Sequence, residues 1–519
     1  MVHFGFSYIG LIWLIMLFVP NSFWTKNKPA DYDRYVKNEN KVLLALERVG
    51  EVLTTVCAVI FSDFNLRRIT VWSLWLLASF IFMILYELYW IGYFKSPKTM
   101  ADMYRSFAGF PVAGASLPCL AFFCLGIYGS NIFLIVSSLI LSVGHIGIHL
   151  MHRAEVVPPK KKKAVVRILK VLLLIPVTAG LVVTVTAIAG RNIYWFKNCI
   201  DTSKGINECI YVPIGGQEQY IQIRGRDTDN PVILYIHGGP GGPDSAVSPL
   251  FTDGLTDSYT VVCWDQRGCG RTYFRNMDLD PQNQTVNFET AVSDTDDLVE
   301  YICDRFGTDR VILMGHSYGT MVGTRYILEH SEKVSAYIGI GQFVNSARSD
   351  EASYEDAMAI ARSRGEDTTE LQNAYEAYCR SGMLSDYLVF RSLAYDYHPA
   401  ANTADTIGYA FFCPYTGVDD VRWILCQMDT ERFTELEQSL LITTSSYDVY
   451  DQGLTYDVPM LMILGESDYV CNCSLAEGFY NDLNAPVKDC VVINGGGHTP
   501  HYETPDRFAQ AVLSFLEEI

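Results

Sequence analysis

The sequence predicts a multi-pass α-helical membrane domain over residues 1–191, followed by an α/β domain with a mainly parallel sheet and a helical cap insertion. Three features point there. Apolar stretches of about 20 residues, the length that crosses roughly 30 Å of hydrocarbon, crowd residues 4–190. Charge divides at the same place. Residues 1–191 carry 19 Lys/Arg and 9 Asp/Glu, a net of +10, and residues 192–519 carry 20 and 49, a net of −29, summing to the chain's −19. Beyond 192, short apolar runs alternate with helical patterns, as in a sheet covered by helices. At 519 residues, 49% hydrophobic and 19% charged, the chain is too apolar for disorder and long enough for two or three folding units. A second half with only four lysines argues against a nucleic-acid partner, whose phosphates demand a basic surface.

The clear spans are residues 4–20, 69–94, 108–128, 131–151 and 168–190, with Trp13, Trp24, Trp90, Tyr93 and Tyr194 near the expected interfaces. A sixth stretch, 43–62, holds Glu47, Arg48 and Glu51 and suits an amphipathic surface helix about as well as a span. Loop charge favours six. Fifteen basic residues then share one side: Lys26, Lys28, Arg34, Lys37 and Lys41, next Lys95, Lys98 and Arg105, then Arg153, Lys160, Lys161, Lys162, Lys163, Arg167 and Lys170. The other side keeps Arg67 and Arg68 before the acidic half begins. Basic loops stay cytoplasmic, so both termini and the acidic domain are expected outside, in a multi-pass protein of the cell membrane. Lacking a basic leader and an evident cleavage site, the first span is expected to be retained. His145, His149 and His152, spaced i, i+4 and i+7, share a helix face near the end of the fifth span, and Glu87 lies inside the third. Such a face suits a metal or proton site, and equally a set of interfacial histidines without one.

Of fourteen cysteines, three (Cys57, Cys119, Cys124) lie in the first half. In the oxidising setting expected for the second half, Cys199 with Cys209, Cys413 with Cys426, and Cys471 or Cys473 with Cys490 are the pairs to test; free buried thiols are the alternative. No Cys/His zinc pattern occurs.

The second half opens with a hairpin, Ile210–Pro213 and Tyr220–Arg224 around Gly215-Gly216. Apolar runs follow at 232–236, 260–264, 310–314, 336–340, 459–464 and 490–493. Residues 343–458 lack strong β-runs and read as a helical cap inserted between a first core segment, 192–342, and a second, 459–519. Loops at the carboxyl ends of such strands build sites.

Gly315-His316-Ser317-Tyr318-Gly319 lies between the run Val311–Met314 and the helical segment Thr320–Glu329. Strand, G-x-S-x-G and helix together make the context of a nucleophile elbow, in which both glycines leave room for a tight turn. A serine hydroxyl needs a base and an orienting acid. Asp468 follows the run 460–464, with Glu466 as its rival, and His498 follows 490–493, with His501 as its rival. His316 adjoins the serine but is expected to point away. The glycine-rich run His237-Gly238-Gly239-Pro240-Gly241-Gly242 follows a strand and offers the N–H of Gly239, which with that of Tyr318 would form an oxyanion hole. Without a following Lys-Ser/Thr, a phosphate loop is the weaker interpretation.

Taken with Trp264-Asp265-Gln266-Arg267-Gly268-Cys269-Gly270-Arg271-Thr272 one strand later, that run resembles the paired signature of the proline iminopeptidase (prolyl aminopeptidase) family of α/β-hydrolase serine peptidases, over residues 210–519. The resemblance implies an α/β-hydrolase fold and catalysis by Ser317, His498 and Asp468. It also implies site-shaping roles for His237, Gly238, Pro240, Asp265, Gln266 and Arg267. It departs at Tyr318, where members strict for proline usually carry Trp, and at Thr272, where Ser is common, so the residue released stays open.

The insertion 343–458 holds 20 Asp/Glu, seven Arg, no Lys and eleven Tyr. An acidic, aromatic lid suits an ammonium terminus, and Glu351, Glu355 and Glu376 are the candidates to pair with it; a merely solvated acidic face is the alternative. The expected partners are short peptides with a free amino terminus and a lipid bilayer, and no metal or organic cofactor is implied. An aminopeptidase, an esterase on the same triad, and a membrane sensor with a ligand-binding hydrolase-like domain all fit the motifs.

Overall fold

The computed structural model describes residues 2–36, 39–67, 69–157, 164–200, 202–397 and 405–519. Lys37, Arg68 and the run 158–163, counted above among the loop residues, lie outside the described residues. The chain forms two compact units, Met1–Lys197 and Asn198–Ile519.

The first unit is helical. Its main helices are Tyr8–Trp24, Lys41–Ile60, Leu74–Phe94, Ala113–Tyr128, Ile132–Leu141, Gly147–Val156 and Ala164–Asn198. A single π-turn, Ser142–Ile146, joins the fifth and sixth into one continuous rod. Among the described residues, Val71–Phe94 and Ile132–Val156 are long and apolar enough to cross a membrane, while Tyr8–Trp24 and Ala113–Tyr128 are shorter apolar helices. Six spans were expected, and length and composition therefore single out two.

Glycines set how closely these helices approach. A Cβ on Gly50 would lie 2.5 Å from the Leu141 Cα, and one on Gly144 would lie 2.3 Å from the Glu47 nitrogen, so only backbone-to-backbone contact fits. This contact buries Glu47 inside Lys41–Ile60 and seats its Oε1 2.5 Å from His145 Nδ1. Glu39 Oε1 lies 3.1 Å from His152 Nε2. The histidine face thus meets two carboxylates from the preceding segment.

The second unit is an eight-stranded sheet in the order β1-β2-β4-β3-β5-β6-β7-β8. The strands are β1 Ile206–Ile214, β2 Gln217–Gly225, β3 Val232–Ile236, β4 Thr260–Asp265, β5 Val311–His316, β6 Val334–Ile340, β7 Met460–Gly465 and β8 Lys488–Ile493. β1 and β2 form the antiparallel hairpin about Gly215-Gly216, β2 pairs antiparallel with β4, and all later pairs are parallel. Strands β3 to β7 are buried along their whole length, apart from one β6 position, as uninterrupted β-branched and aliphatic runs require when helices cover both faces. One face packs on Phe288–Phe306 and Tyr318–Glu329, the other on Pro505–Glu518.

Between β6 and β7 the described residues of the insertion form six α-helices, Ser346–Arg364, Thr369–Ser381, Leu384–Tyr395, Thr406–Phe412, Val418–Met428 and Thr430–Ser446. Polar latches tie it to the core. Arg271 Nε donates to Asp420 Oδ1 at 3.0 Å, and Ser353 Oγ donates to the Tyr469 carbonyl at 2.6 Å.

The pairs named for testing are not bonded, and the free-thiol alternative holds. Cys209, Cys426, Cys471, Cys473 and Cys490 are free thiols, which removes one partner from each pair. Cys209 instead faces Gln222 across the β1–β2 hairpin, with Sγ 3.8 Å from Nε2. Closeness in sequence does not bring two Cβ atoms within bridging distance.

Candidate active site

The site lies where the order of strands reverses, at the carboxyl ends of β3 and β5. Ser317 follows β5 at φ 51°, ψ −119°, a strained conformation for a side chain. The two flanking glycines make it possible. A Cβ on Gly319 would lie 2.2 Å from the Ile236 carbonyl oxygen, and one on Gly315 would lie 2.5 Å from that of Gly319. The Ser317 N–H donates to the Ile340 carbonyl at 3.0 Å, which anchors the turn to β6.

Ser317 Oγ lies 3.0 Å from His498 Nε2. On the other side of the ring, Nδ1 lies 3.0 and 3.1 Å from the two oxygens of Asp468. Asp468 Oδ1 also accepts the N–H groups of Val470 and Cys471 at 2.8 and 2.9 Å, which fixes the carboxylate in place. In this arrangement Nδ1 carries the proton and Nε2 faces the hydroxyl, so the ring can accept a proton from Ser317 and return it.

Both rivals are occupied elsewhere. Glu466 Oε2 accepts the Gly495 N–H at 2.9 Å. The buried His501 ring packs against His316, Tyr502 and Phe251. His316 does point away from Ser317, and Nε2 donates to the His498 carbonyl oxygen at 2.9 Å. Burial, together with the neighbouring His498, pushes its pKa down to about 3, so it donates as a neutral ring.

The glycine-rich loop covers the serine. A Cβ on Gly238 would lie 3.0 Å from the Ser317 Cβ, and Gly239 adopts φ +122°, beyond the range of ordinary side chains. Tyr318 is the first residue of its helix, where the N–H has no intrahelical acceptor. Pro240 follows Gly239 in a cis peptide. His237 lies beneath the loop with its pKa lowered by burial to about 4; its Nε2 accepts the Gln266 N–H at 3.3 Å, and Gln266 Nε2 donates to its carbonyl at 3.0 Å.

Asp265 and Arg267 are buried supports of the same loops. Asp265 accepts from Ser245 Oγ at 2.5 Å and from the Arg271 N–H at 3.0 Å, and desolvation raises its pKa to about 6. Arg267 forms a bidentate pair with Asp294, both contacts at 2.7 Å. The Thr272 hydroxyl donates to the Asp265 carbonyl at 2.6 Å and accepts the Tyr220 N–H at 2.9 Å, bonds that a serine hydroxyl makes equally well.

The cap acids named from sequence are not among the buried groups of the cap. Glu351, Glu355 and Glu376 are solvent-exposed, and Glu376 accepts from Gln372 on its own helix. The acid that the fold does bury at the site is Glu437, 1% exposed. Its carboxyl lies against Gly241, where an added Cβ would come within 3.0 Å of it. Among the described residues, neither Glu437 Oε1 nor the Tyr318 hydroxyl has a hydrogen-bond partner, and both residues line a void of about 10 Å³, room for one water-sized group. Desolvation pushes the Glu437 pKa up to about 8. Its signal in sequence is the apolar stripe Phe433, Leu436 and Leu440, which places position 437 on the buried face.

Asp244, His316 and His501 bring their ligand atoms within 4.8 Å of one another. Two of those groups already serve the protein: Asp244 Oδ2 accepts from the Tyr235 hydroxyl at 2.6 Å, and His316 Nε2 holds the His498 carbonyl.

A family model described as alpha/beta hydrolase fold matches residues 231–371, which span the glycine-rich loop, the elbow and the start of the cap. The C-terminal part of the chain is an α/β-hydrolase fold domain. This domain is similar to a probable aminopeptidase, YbaC, of Bacillus subtilis (strain 168), at 25% identity over 301 residues, 58% of this chain and 93% of that protein. It is similar also to a proline iminopeptidase of Thermoplasma volcanium, at 22% identity over 308 residues, 59% of this chain and 96% of the relative. Among solved structures, the proline iminopeptidase of Mycobacterium smegmatis aligns over 60% of this chain and 98% of its own, with 19% identity and a TM-score of 0.45.

Proposed function

We propose that the chain is a membrane-anchored serine aminopeptidase that releases N-terminal residues, proline or another, from short peptides. The observation that carries this reading is the unbroken line Ser317 Oγ, His498 ring, Asp468 carboxylate, with 3.0 Å contacts on both sides of the imidazole. His498 takes the hydroxyl proton as Ser317 Oγ bonds to the scissile carbonyl carbon, and the carbonyl oxygen becomes an anion facing the N–H groups of Gly239 and Tyr318. Collapse of that adduct breaks the C–N bond, and His498 returns the proton to the leaving amine. Water then repeats the sequence on the acyl-enzyme and frees Ser317.

Preference for a free amine is supported by Glu437. In the empty site its carboxyl is neutral near pH 7, because burial outweighs any partner. An incoming ammonium supplies the missing charge, and ionisation of Glu437 then becomes favourable. The void beside Glu437 and Tyr318 is the size of that group. The names of the relatives agree with this substrate class.

The first unit is assigned to the membrane on the strength of Val71–Phe94 and Ile132–Val156 and of the basic loops between the helices, with the hydrolase unit outside the cell. Aminoacyl fluorogenic amides, each with its amino group free or acetylated, test the activity. Cleavage of free compounds alone is expected; equal cleavage of the acetylated set would identify a general acyl hydrolase. Fluorophosphonate labelling that disappears in Ser317→Ala tests the nucleophile. An impermeant thiol reagent applied to intact cells tests the orientation through the exposed Cys209 and Cys379.

A further inference from the structure

The helical unit contains a cavity of about 640 Å³, the size of a ligand site, that the hydrolase chemistry does not use. Its wall combines three kinds of group. Glu39 and Glu47 each engage a histidine through Oε1, which leaves the second carboxylate oxygen for another donor. Arg48, paired with Glu51 at 2.9 Å, brings a guanidinium to the same space. Non-polar side chains supply much of the remainder, the aromatic rings of Trp24, Trp90 and Tyr104 among aliphatic ones such as Leu14, Leu17, Val52 and Ile148, and aromatic faces attract cations.

The wall also carries hydrogen-bonding groups with nothing to bond. Among the described residues the Thr54 hydroxyl and His149 Nδ1 are buried without a partner, the indole N–H groups of Trp24 and Trp90 have only the Tyr93 and Tyr86 hydroxyls beside them, and all four residues line the cavity. Trp90 and Thr54 are 5% and 3% exposed. Buried donors left unpaired are destabilising by about 1–3 kcal/mol each, and native proteins rarely keep several together. A ligand that accepts from them removes that cost. A π-turn carries His145 into this wall, and π-turns recur at functional sites.

We infer that this cavity binds a small zwitterion bearing both an ammonium and a carboxylate, that is, a free amino acid or a dipeptide. The ammonium pairs with the carboxylates of Glu39 and Glu47. The carboxylate accepts from the indoles and from Arg48. A hydrocarbon chain satisfies neither set of groups, which argues against a lipid tail as the occupant. The inference rests on the helical unit alone and stands whether or not Ser317 is a nucleophile.

The experiment uses the full chain as Ser317→Ala in lipid nanodiscs, with radiolabelled L-leucine and L-leucyl-L-leucine as probes in separate arms. Saturable binding in at least one arm is expected, weakened at least tenfold by Glu47→Gln and by Trp90→Phe, the second of which removes the indole N–H while keeping an aromatic ring. Competition by N-acetyl-leucine and by isopentylamine, each lacking one charge, is expected to be at least tenfold poorer. Fluorophosphonate labelling of the same substitutions in the Ser317 background checks that each variant is folded. Binding undiminished in both variants belongs to the hydrolase unit and overturns the assignment. Absence of saturable binding in both arms, or displacement by oleate in place of the single-charge analogues, overturns it too.

Discussion

The Nε2 of His316 donates a 2.9 Å hydrogen bond to the backbone carbonyl of His498, so the residue before the elbow serine holds the strand-end loop that carries the base. The bond spans 182 positions of sequence and ties β5 to the loop after β8. Since burial keeps His316 neutral down to about pH 3, the donor persists across the working range. His316→Ala is expected to lower kcat roughly tenfold with KM changed less than about twofold, because small displacements of a base are amplified in the rate. His316→Gln, which keeps a donor, is expected to recover part of the loss. Steady-state kinetics on an aminoacyl amide decides; a rise in KM alone would mean that His316 shapes the substrate pocket.

Asp468 and Glu466 stand two residues apart and differ in what they hold. Asp468 contacts the His498 ring, and Glu466 accepts only the Gly495 N–H in the turn. Asp468→Asn preserves shape but favours the wrong imidazole tautomer, and kcat is expected to fall by about 10⁴. Glu466→Gln is expected to leave kcat within about threefold. Equal losses in the two variants would show that the turn, not the carboxylate on the ring, governs activity.

The elbow was legible because its requirement is steric: only glycine fits at Gly315 and Gly319, where carbonyl oxygens lie within 2.5 Å of a would-be Cβ. The strands β3 to β7 were legible because a parallel sheet covered on both faces leaves continuous apolar runs. Glu437 was not. It shares its helix with Glu431 and Glu435, both exposed, and residue type alone cannot separate a solvated acid from a buried one in a segment so rich in both. The partners of the histidine face were equally hidden, since Glu47 and Glu39 come from 98 and 113 positions away. Periodicity reveals which residues share a face and not what that face meets.

The latch Arg271–Asp420 joins core to cap. Arg271 is 9% and Asp420 8% exposed, Nε and Nη2 both bind the carboxylate, and the guanidinium lies 4.4 Å from the Tyr220 ring centroid. Removing one member strands a buried charge, a loss of about 3–5 kcal/mol. Asp420→Ala is therefore expected to lower the midpoint of thermal inactivation by several degrees. Arg271→Met combined with Asp420→Leu is expected to lose less than Asp420→Ala. If the double variant were the less stable, the pair would be contributing net stability and not merely avoiding an unpaired ion.

Glu437 sets function against stability, and the two are separable by pH. Its folded pKa of about 8 lies above the ordinary 4.5 of the unfolded chain. Between those values the folded state holds the extra proton, so the stability linked to this group is full below pH 4.5 and is lost as pH rises through 8. Glu437→Gln removes the dependence. The variant is expected to match the parent near pH 4.5, to gain over it progressively up to pH 8, and to keep a constant advantage above, on the order of 5 kcal/mol at about 1.4 kcal/mol per pKa unit. Activity moves the other way. Without a carboxylate for the ammonium, kcat/KM on free aminoacyl amides is expected to fall at least a hundredfold, while the slow cleavage of acetylated amides stays unchanged. Thermal inactivation measured at pH 5, 7 and 9 beside the two substrate series gives both readings at once. A variant stabilised at high pH yet undiminished on free amines would place the ammonium site elsewhere in the cap.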